Sequence, residues 1–427
     1  MQQAATACPR IDERTIPMEP KSEAEKAKKS ILEEFAAVPY KVRWLVYLTV
    51  PQSLAFGYLV VLISAYFPET GFSAGDVGLL IAVSGMTFVA GGIPLGILAD
   101  RKGRKWILLI GMAITTPAIM VFAFTRDMGW LLFASFIAGL SEGAFMATWN
   151  ALIADQTGTH NRNAAFSLSF IVGTVAFGLG FAFPIVFPTI ESAMGWDSES
   201  VHMMTLILLG LVSASSPVAV WWLLRDYKEE VREWKKYTWG PSMRRLLKFS
   251  GINSLIGLGA GFIIPLIPTW LLLRFDIQDS VSGPLLALAS ITMGVGAIGS
   301  AYLAKKHGMV RAIVMTSSLS TIFMFSLAFI PNAALAAAFY LVRAALMNMG
   351  VPLLDSFLMG IISKEERGLA SAINSVIWRL PNSASTVVGG MLLAEGIYDI
   401  PFFLATGFYV TALVLFYAVF KDVKPST

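Results

Sequence analysis

Charge-free apolar runs constrain this chain more than any other feature, with Trp44 to Phe67 and Ile252 to Leu273 the clearest. A bilayer core is about 30 Å thick, and a helix rising 1.5 Å per residue needs roughly 20 apolar residues to cross it. These runs supply that length. Hydrophobic residues make up 56% of the 427 and charged residues only 14%. A soluble chain keeps about a quarter of its residues charged. Too little charge is left to coat a water-facing surface, so the lipid bilayer is the expected solvent.

The remaining inventory narrows the chemistry. Cys8 is the only cysteine, which excludes an intrachain disulfide, a zinc finger and an iron–sulfur site. His160, His202 and His307 share no metal-ligand spacing. The net charge of +4 calls for no nucleic-acid partner, because excess Lys and Arg in a membrane protein record topology. Residues 1–40 are a polar cytoplasmic tail with no apolar core of a cleavable signal peptide. Within it, Ser22 to Val38 reads as an amphipathic helix: Ser22 and Glu25 fit a capping box, Ile31 and Phe35 lie a turn apart, and Pro39 stops it. It either rests on the membrane surface or is a solvated tail.

Apolar runs between charges, Gly and Pro predict twelve spans, at 41–66, 73–99, 105–124, 128–153, 163–188, 201–224, 246–272, 281–304, 309–330, 333–360, 367–395 and 399–420. The charged stretch 225–245 is a cytoplasmic linker between two six-helix bundles, 41–224 and 246–420, and 421–427 is a second short tail. With both termini in the cytoplasm, all of the 32 Lys and Arg face inward except Arg126, Arg274, Arg343 and Arg379. The first two fall outside and the last two lie within spans. The positive-inside rule therefore predicts cytoplasmic termini in a cell membrane.

The halves superimpose at a shift of 205 residues. Gly78 then matches Gly283, Leu98, Ala99 and Gly103 match Leu303, Ala304 and Gly308, and Arg162 matches Arg367. Agreement at three separated loops implies two parallel six-helix repeats with a cavity between them and a rocking motion about it.

Between spans two and three stands Gly96-Ile-Leu98-Ala99-Asp100-Arg101-Lys-Gly103-Arg104-Lys105. This string closely resembles the cytoplasmic-loop motif of the major facilitator superfamily, and the resemblance extends over residues 40–420 through span count, repeat and loop placement. It implies an all-α integral membrane protein of twelve transmembrane helices in two pseudo-symmetric six-helix bundles. Gly96 permits close helix packing, and Gly103 permits a turn with positive φ. Asp100 suits the electropositive N-terminus of a facing helix, in the family the eleventh, which here begins near Arg367. By the same resemblance Arg104 pairs with Asp155 and Asp155 with Arg162, a latch that holds the cytoplasmic side shut; otherwise Arg101, Lys102, Arg104 and Lys105 serve only topology. In the second repeat Lys305 replaces Asp100 and Ala301 replaces Gly96, so the latch is expected on one half alone.

A charge in lipid costs at least ~2.5–3.5 kcal/mol, so each one calls for a partner or a watery cavity. Glu142 and Arg343 lie ~21 and ~15 Å from the outer ends of their spans and Arg379 ~18 Å from the cytoplasmic end of its span at 1.5 Å per residue, near the midplane. Desolvation favours a protonated carboxylate and a nearby guanidinium favours an ionised one. Spans four and ten line the cavity in the resembled family, so Glu142 is expected to meet Arg343 there and to take up a proton when Arg343 or Arg379 moves away. Two other readings stay open: Glu142 is structural, bonded to backbone or Asn150, or the arginines bind an anionic substrate directly. Asp355 is a second coupling candidate or merely interfacial. Gln52, Trp149, Asn150, Asn253, Asn348, Asn374, Trp378 and Asn382 are candidates for substrate contact or for gluing helices together. Pro381 is expected to kink span eleven.

Gly294-Val-Gly296-Ala-Ile-Gly299 fits a dinucleotide fingerprint, yet it lies inside a span where small residues pack helices. No ATP-binding loop is present, no cofactor is called for, and no nucleophile–base pair suggests an enzyme. The expectation is a monomeric secondary transporter of a small molecule, an organic anion, drug-like compound or metabolite, coupled to protons. An uncoupled facilitator is the alternative, and a receptor or scaffold on the same fold the reading from another class. A Gly-Pro pair in span five and an arginine in span four, frequent in drug–proton antiporters, are both missing, as are sugar-porter loop motifs.

Overall fold

The computed structural model describes residues 35–157, 161–227, 242–363 and 366–423. Among those residues there is no strand, and twelve long helices follow one another. They are α1 (Tyr40–Glu69), α2 (Ala74–Lys102), α3 (Arg104–Phe124), α4 (Met128–Gln156), α5 (Ala164–Met194, with its first turn at Arg162) and α6 (Ser198–Leu223). The second six are α7 (Met243–Phe275), α8 (Asp279–His307), α9 (Met309–Leu327), α10 (Ala333–Ile361), α11 (Arg367–Ala394) and α12 (Ile400–Phe420). Ten are long and apolar enough to cross a membrane; α8 and α11 match them in length at 29 and 28 residues. The tail helix expected at 22–38 and the linker at 225–245 lie largely outside the described residues. Twelve crossings return the chain to the side where it began, here called the terminal face, opposite the far face.

Helix ends are set by local chemistry. Ser73 caps α2 in a capping box with Asp76. Asp127 caps α4 and Asn332, its mate at the 205 shift, caps α10. Asp197 caps α6, and hydrogen bonds from the Ser200 side chain and backbone hold its carboxyl below the usual carboxylate range. The turn from α2 to α3 is a single residue. Gly103, at φ 108, ends one helix and begins the next, so Asp100, Arg101 and Lys102 ride on α2 rather than in a loop. Gly308 does the same between α8 and α9 at φ 83.

The repeat is visible in the packing. In the first half α1 packs on α5 and α6, α3 on α4 and α6, and α2 on α4. In the second half α7 packs on α11 and α12, α9 on α10 and α12, and α8 on α10, which is the same pattern six helices later. Two pairs related by the repeat join the halves, α2 with α11 and α5 with α8. Large apolar side chains such as Ile110, Phe124 and Trp222 point outward, as lipid contact requires.

Backbones touch where side chains vanish. A Cβ on Gly78 would lie 2.7 Å from the Thr386 carbonyl oxygen, and one on Gly283 2.5 Å from that of Phe181. Both pairs are related by the 205 shift, and both join the halves near the far face. Ser64 and Thr269, again 205 apart, are joined by a hydrogen bond from the Thr269 hydroxyl to the Ser64 carbonyl. α1, α5 and α7 each depart from regular helix toward this face, at Leu62–Tyr66, Phe183–Val186 and Ile264–Leu266. Pro184 and Pro265 account for the second and third breaks, since proline donates no backbone hydrogen bond. α11, in contrast, runs unbroken through Pro381.

Within the first half, Gly139 of α4 lies against the Ser84 backbone of α2, where a Cβ would overlap the carbonyl. Gly139→Val should therefore destabilise the detergent-solubilised protein by about 1–3 kcal/mol through overpacking, read as a lower thermal unfolding midpoint. Gly173→Ala, with open space at its Cβ, should leave the midpoint unchanged or slightly raised.

Candidate functional site

The centre of the molecule holds an ion pair that spans the two halves. Arg379 Nη2 of α11 lies 3.3 Å from Glu142 Oε2 of α4. The arginine crosses α2 to get there. Its Nε lies 3.5 Å from where a Cβ on Gly85 would sit, and its guanidinium passes 5.2 Å from the Phe88 ring centroid. A side chain at position 85 would also strike Ser383, whose hydroxyl donates to the Arg379 carbonyl. Both charged side chains remain about one third exposed, at 34% and 31%. Exposed pairs contribute only about 0–1 kcal/mol. This pair is therefore wet enough to be exchanged for another partner and does not by itself hold the halves together.

Around it, polar residues divide between packing and cleft. Gln52 of α1 is buried and donates to the Thr115 hydroxyl at 2.7 Å; Thr115 meets Ser141 at 2.6 Å, beside Glu142. Trp149 is buried too, donating to Ser169 of α5 and stacking on Phe145. Asn382 donates to the Gly257 carbonyl and ties α11 to α7. Asn253 and Ser250 of α7 both donate to the Asn374 side-chain oxygen. Trp378 presents its carbonyl to Gly257, and Asn348 is half-buried on α10. Asn150 and Asp355, 205 positions apart, are both exposed near the terminal-face ends of α4 and α10, as are Ser371 and Ser375 on α11. With the inter-half contacts gathered toward the far face, these side chains mark a wet cleft that opens to the terminal face.

Arg343 is placed differently from the sequence expectation. It points away from Glu142, into its own bundle, and is 5% exposed. Its Nη2 donates to the Tyr409 hydroxyl of α12 at 3.1 Å, and its carbonyl accepts from Ser320 of α9. The reason is helical phase. Asp355, twelve residues on, sits about 120° around α10 at 3.6 residues per turn, so when Asp355 faces the cleft Arg343 cannot share that face. Asp355 makes no ion pair among the described residues.

Comparisons with known proteins agree with this architecture. The sequence pattern of the Major Facilitator Superfamily matches residues 45–249 and again 249–427. The chain belongs to the major facilitator superfamily. Quinolone resistance protein NorA of Staphylococcus aureus is 26% identical over 176 residues, 41% of this chain and 43% of NorA. Inner membrane transport protein YajR of Escherichia coli is 28% identical over 152 residues, 35% of this chain and 31% of YajR. The chain thus matches less than half the length of these relatives. A bacterial homologue of the human lysosomal transporter Spinster, inward-facing and occupied, superimposes with a TM-score of 0.70 at 17% identity, covering 90% of this chain and 98% of that one. The nucleoside transporter NupG gives 0.65 at 15% identity, covering 90% and 100%. At such identities the likeness is one of fold.

The superfamily motif at the α2–α3 turn has a definite geometry. Arg104 reaches Asp100 on its own turn at 2.8 Å and Asp155 at the end of α4 at 2.6 Å. Arg162 donates to the Ala154 carbonyl at 3.2 Å rather than to Asp155. Asp100 spends its carboxylate on Arg104, Arg101 is exposed, and buried Lys105 donates to the Leu224 carbonyl at the end of α6. Gly96 is not a tight contact: a Cβ there would find Ala147 at 3.7 Å, an ordinary distance.

Sequence reasoning missed a polar cluster in the closed far face, where Tyr58, Glu69, His202 and Asp279 converge. In the sequence His202 shares no metal-ligand spacing, and Asp279 falls just before the span predicted at 281. Among the described residues no three His, Cys, Asp or Glu side chains gather as a metal ion requires.

Buried Arg343 makes Tyr409 a stability position. Tyr409→Phe removes the hydroxyl that pairs with the guanidinium, and leaving a buried donor unmatched costs about 1–3 kcal/mol. A thermal unfolding midpoint lowered well below wild type is the expected result in detergent or nanodiscs.

Proposed function

We propose that this chain is a multi-pass transporter of a small solute, a secondary active, proton-coupled carrier working by alternating access, with both termini in the cytoplasm of a cell membrane and the cleft described above open inward. The Glu142–Arg379 pair carries this reading. It is a carboxylate and a guanidinium from opposite halves, meeting at mid-depth in a partly wet interface. Rocking the halves changes their separation, and a carboxylate that loses its counter-charge in a low-dielectric site takes up a proton. An anionic solute that engaged Arg379 would have the same effect on Glu142. Solute binding and proton binding then become linked through one side chain, and linkage of this kind is reciprocal. The asymmetric charge of the loops supports the orientation.

Arg343 has no part in this exchange, because it is buried against Tyr409. Asp355 and Asn150 line the inward mouth of the cleft and serve as outer contacts for solute or proton. The relatives named for quinolone resistance raise a drug-like cargo, and the pairing of Arg379 with Glu142 favours an organic anion over a cation.

Reconstituted vesicles with an imposed pH gradient, screened against pooled metabolites and organic anions, test the proposal. Gradient-driven accumulation of at least one pool is expected. Glu142→Gln should lower that accumulation at least about tenfold, a loss of roughly 1.4 kcal/mol of coupling, while exchange of solute without a gradient persists. Normal accumulation by Glu142→Gln would refute the coupling role, and flux indifferent to the gradient in wild type would make the protein a facilitator.

A further inference from the structure

The far face is closed by a buried polar chain to which both halves contribute. The Tyr58 hydroxyl of α1 lies 2.7 Å from His202 Nδ1 of α6. His202 Nε2 lies 3.3 Å from Asp279 Oδ2 at the start of α8, across the boundary between the halves. The imidazole is stacked on Tyr66 with ring centroids 3.5 Å apart and meets the Phe187 ring edge-on at 4.7 Å. Tyr58, His202 and Asp279 are 0%, 1% and 5% exposed. Glu69, at the end of α1, accepts a hydrogen bond from the Asp279 backbone N–H at 2.6 Å. A carboxylate of one half thus caps a helix of the other, where Gln278 offers no side-chain cap. A cavity of about 390 Å3, lined by Glu69, Glu191, Asp276, Asp279 and Tyr66 among others, adjoins the pair.

Charge around this cluster is unbalanced. Glu69 of α1, Glu191 of α5 and Glu199 of α6 come from the first half, and Asp276 and Asp279 from the second. Among the described residues the guanidinium facing them is that of Arg126, 3.4 Å from Glu199 and over the Phe67 ring. With a neutral imidazole, Tyr58 donates to Nδ1 while Nε2 faces Asp279 Oδ2 at 3.3 Å without closing a hydrogen bond, which leaves one net negative charge buried. Adding one proton to the pair makes it neutral overall and gives Oδ2 the hydrogen-bond partner it lacks. Burying a neutral, hydrogen-bonded pair is much less costly than burying a lone charge. Opening the far face draws α8 away from α1 and α6, admits water and separates the acidic groups of the two halves.

We propose that His202 and Asp279 form a proton-binding site of the far gate, holding a proton when the gate is closed and returning it to the far side when the gate opens. The site is distinct from Glu142 and rests on the alternating-access reading. Its consequence is that acidity on the far side stabilises the closed gate.

The test is the distance across the far face as a function of pH. Spin labels at Trp196→Cys and Glu395→Cys, both exposed positions, are introduced in a chain with Cys8→Ser, and distances are measured in nanodiscs between pH 5.5 and 8.5. The ratio of closed to open populations should rise at least about fivefold at the acid end, the lower range of typical couplings. Asp279→Asn and His202→Gln should each flatten that response. Should Asp279→Asn fail to fold, His202→Gln decides alone. A wild-type ratio that ignores pH overturns the proposal, as does a response retained in both variants or lost only in Glu69→Gln. The distances need no solute, so their outcome is independent of whether Glu142 couples protons to flux.

Discussion

Backbone lies against backbone where α2 meets α11 and α5 meets α8, and the rest of the molecule is arranged around those two contacts. Gly78 and Gly283 leave no room for a side chain there, and close approach of this kind is what drives helix association when lipid removes the hydrophobic incentive. Because both contacts lie toward the far face, the opposite ends of the same helices are free to stand apart. The cleft and its exposed polar residues follow from that geometry. So do the irregular turns of α1, α5 and α7, which bring their far ends together.

Charge is divided by depth and by wetness. Arg343 is dry and has a fixed partner in Tyr409, so it belongs to the architecture of the second bundle. Arg379 is partly wet and reaches across to the other half, so its contact with Glu142 is weak enough to change. The Arg104–Asp100–Asp155 cluster sits at the terminal face within the first half. Asp100 engages Arg104 there, which fits a conformation whose terminal face is open. Static and mobile charges can thus be told apart by burial and partner, where hydropathy alone ranks them equally.

Much of the fold was legible from the chain alone, since span length and the 205-residue shift both follow from bilayer thickness and gene-scale repetition. The shift located the glycine turns at 103 and 308, and the structure extends it to the caps at Asp127 and Asn332 and to Asn150 and Asp355. At the same shift Arg343 has as its mate Ala138, a small buried residue, and the position packs inward in both halves. The loop expected at 101–105 shrank to Gly103 because charged side chains can ride on a helix that extends past the lipid. The His202–Asp279 pair was invisible for a different reason. Its members lie 77 positions apart on different halves, and only the meeting of α6 with α8 brings them together.

The central claim is that the two bundles rock about their far-face contact, so that one face opens as the other closes. Distances between spin labels on Lys102 and Lys306, exposed at the terminal face on opposite halves, measured in lipid alongside the far-face pair, test it directly. The account predicts two populations at each face that change reciprocally, the terminal distance lengthening under conditions that shorten the far one. A terminal-face distance that stays single and fixed while the far-face distance shifts would contradict it.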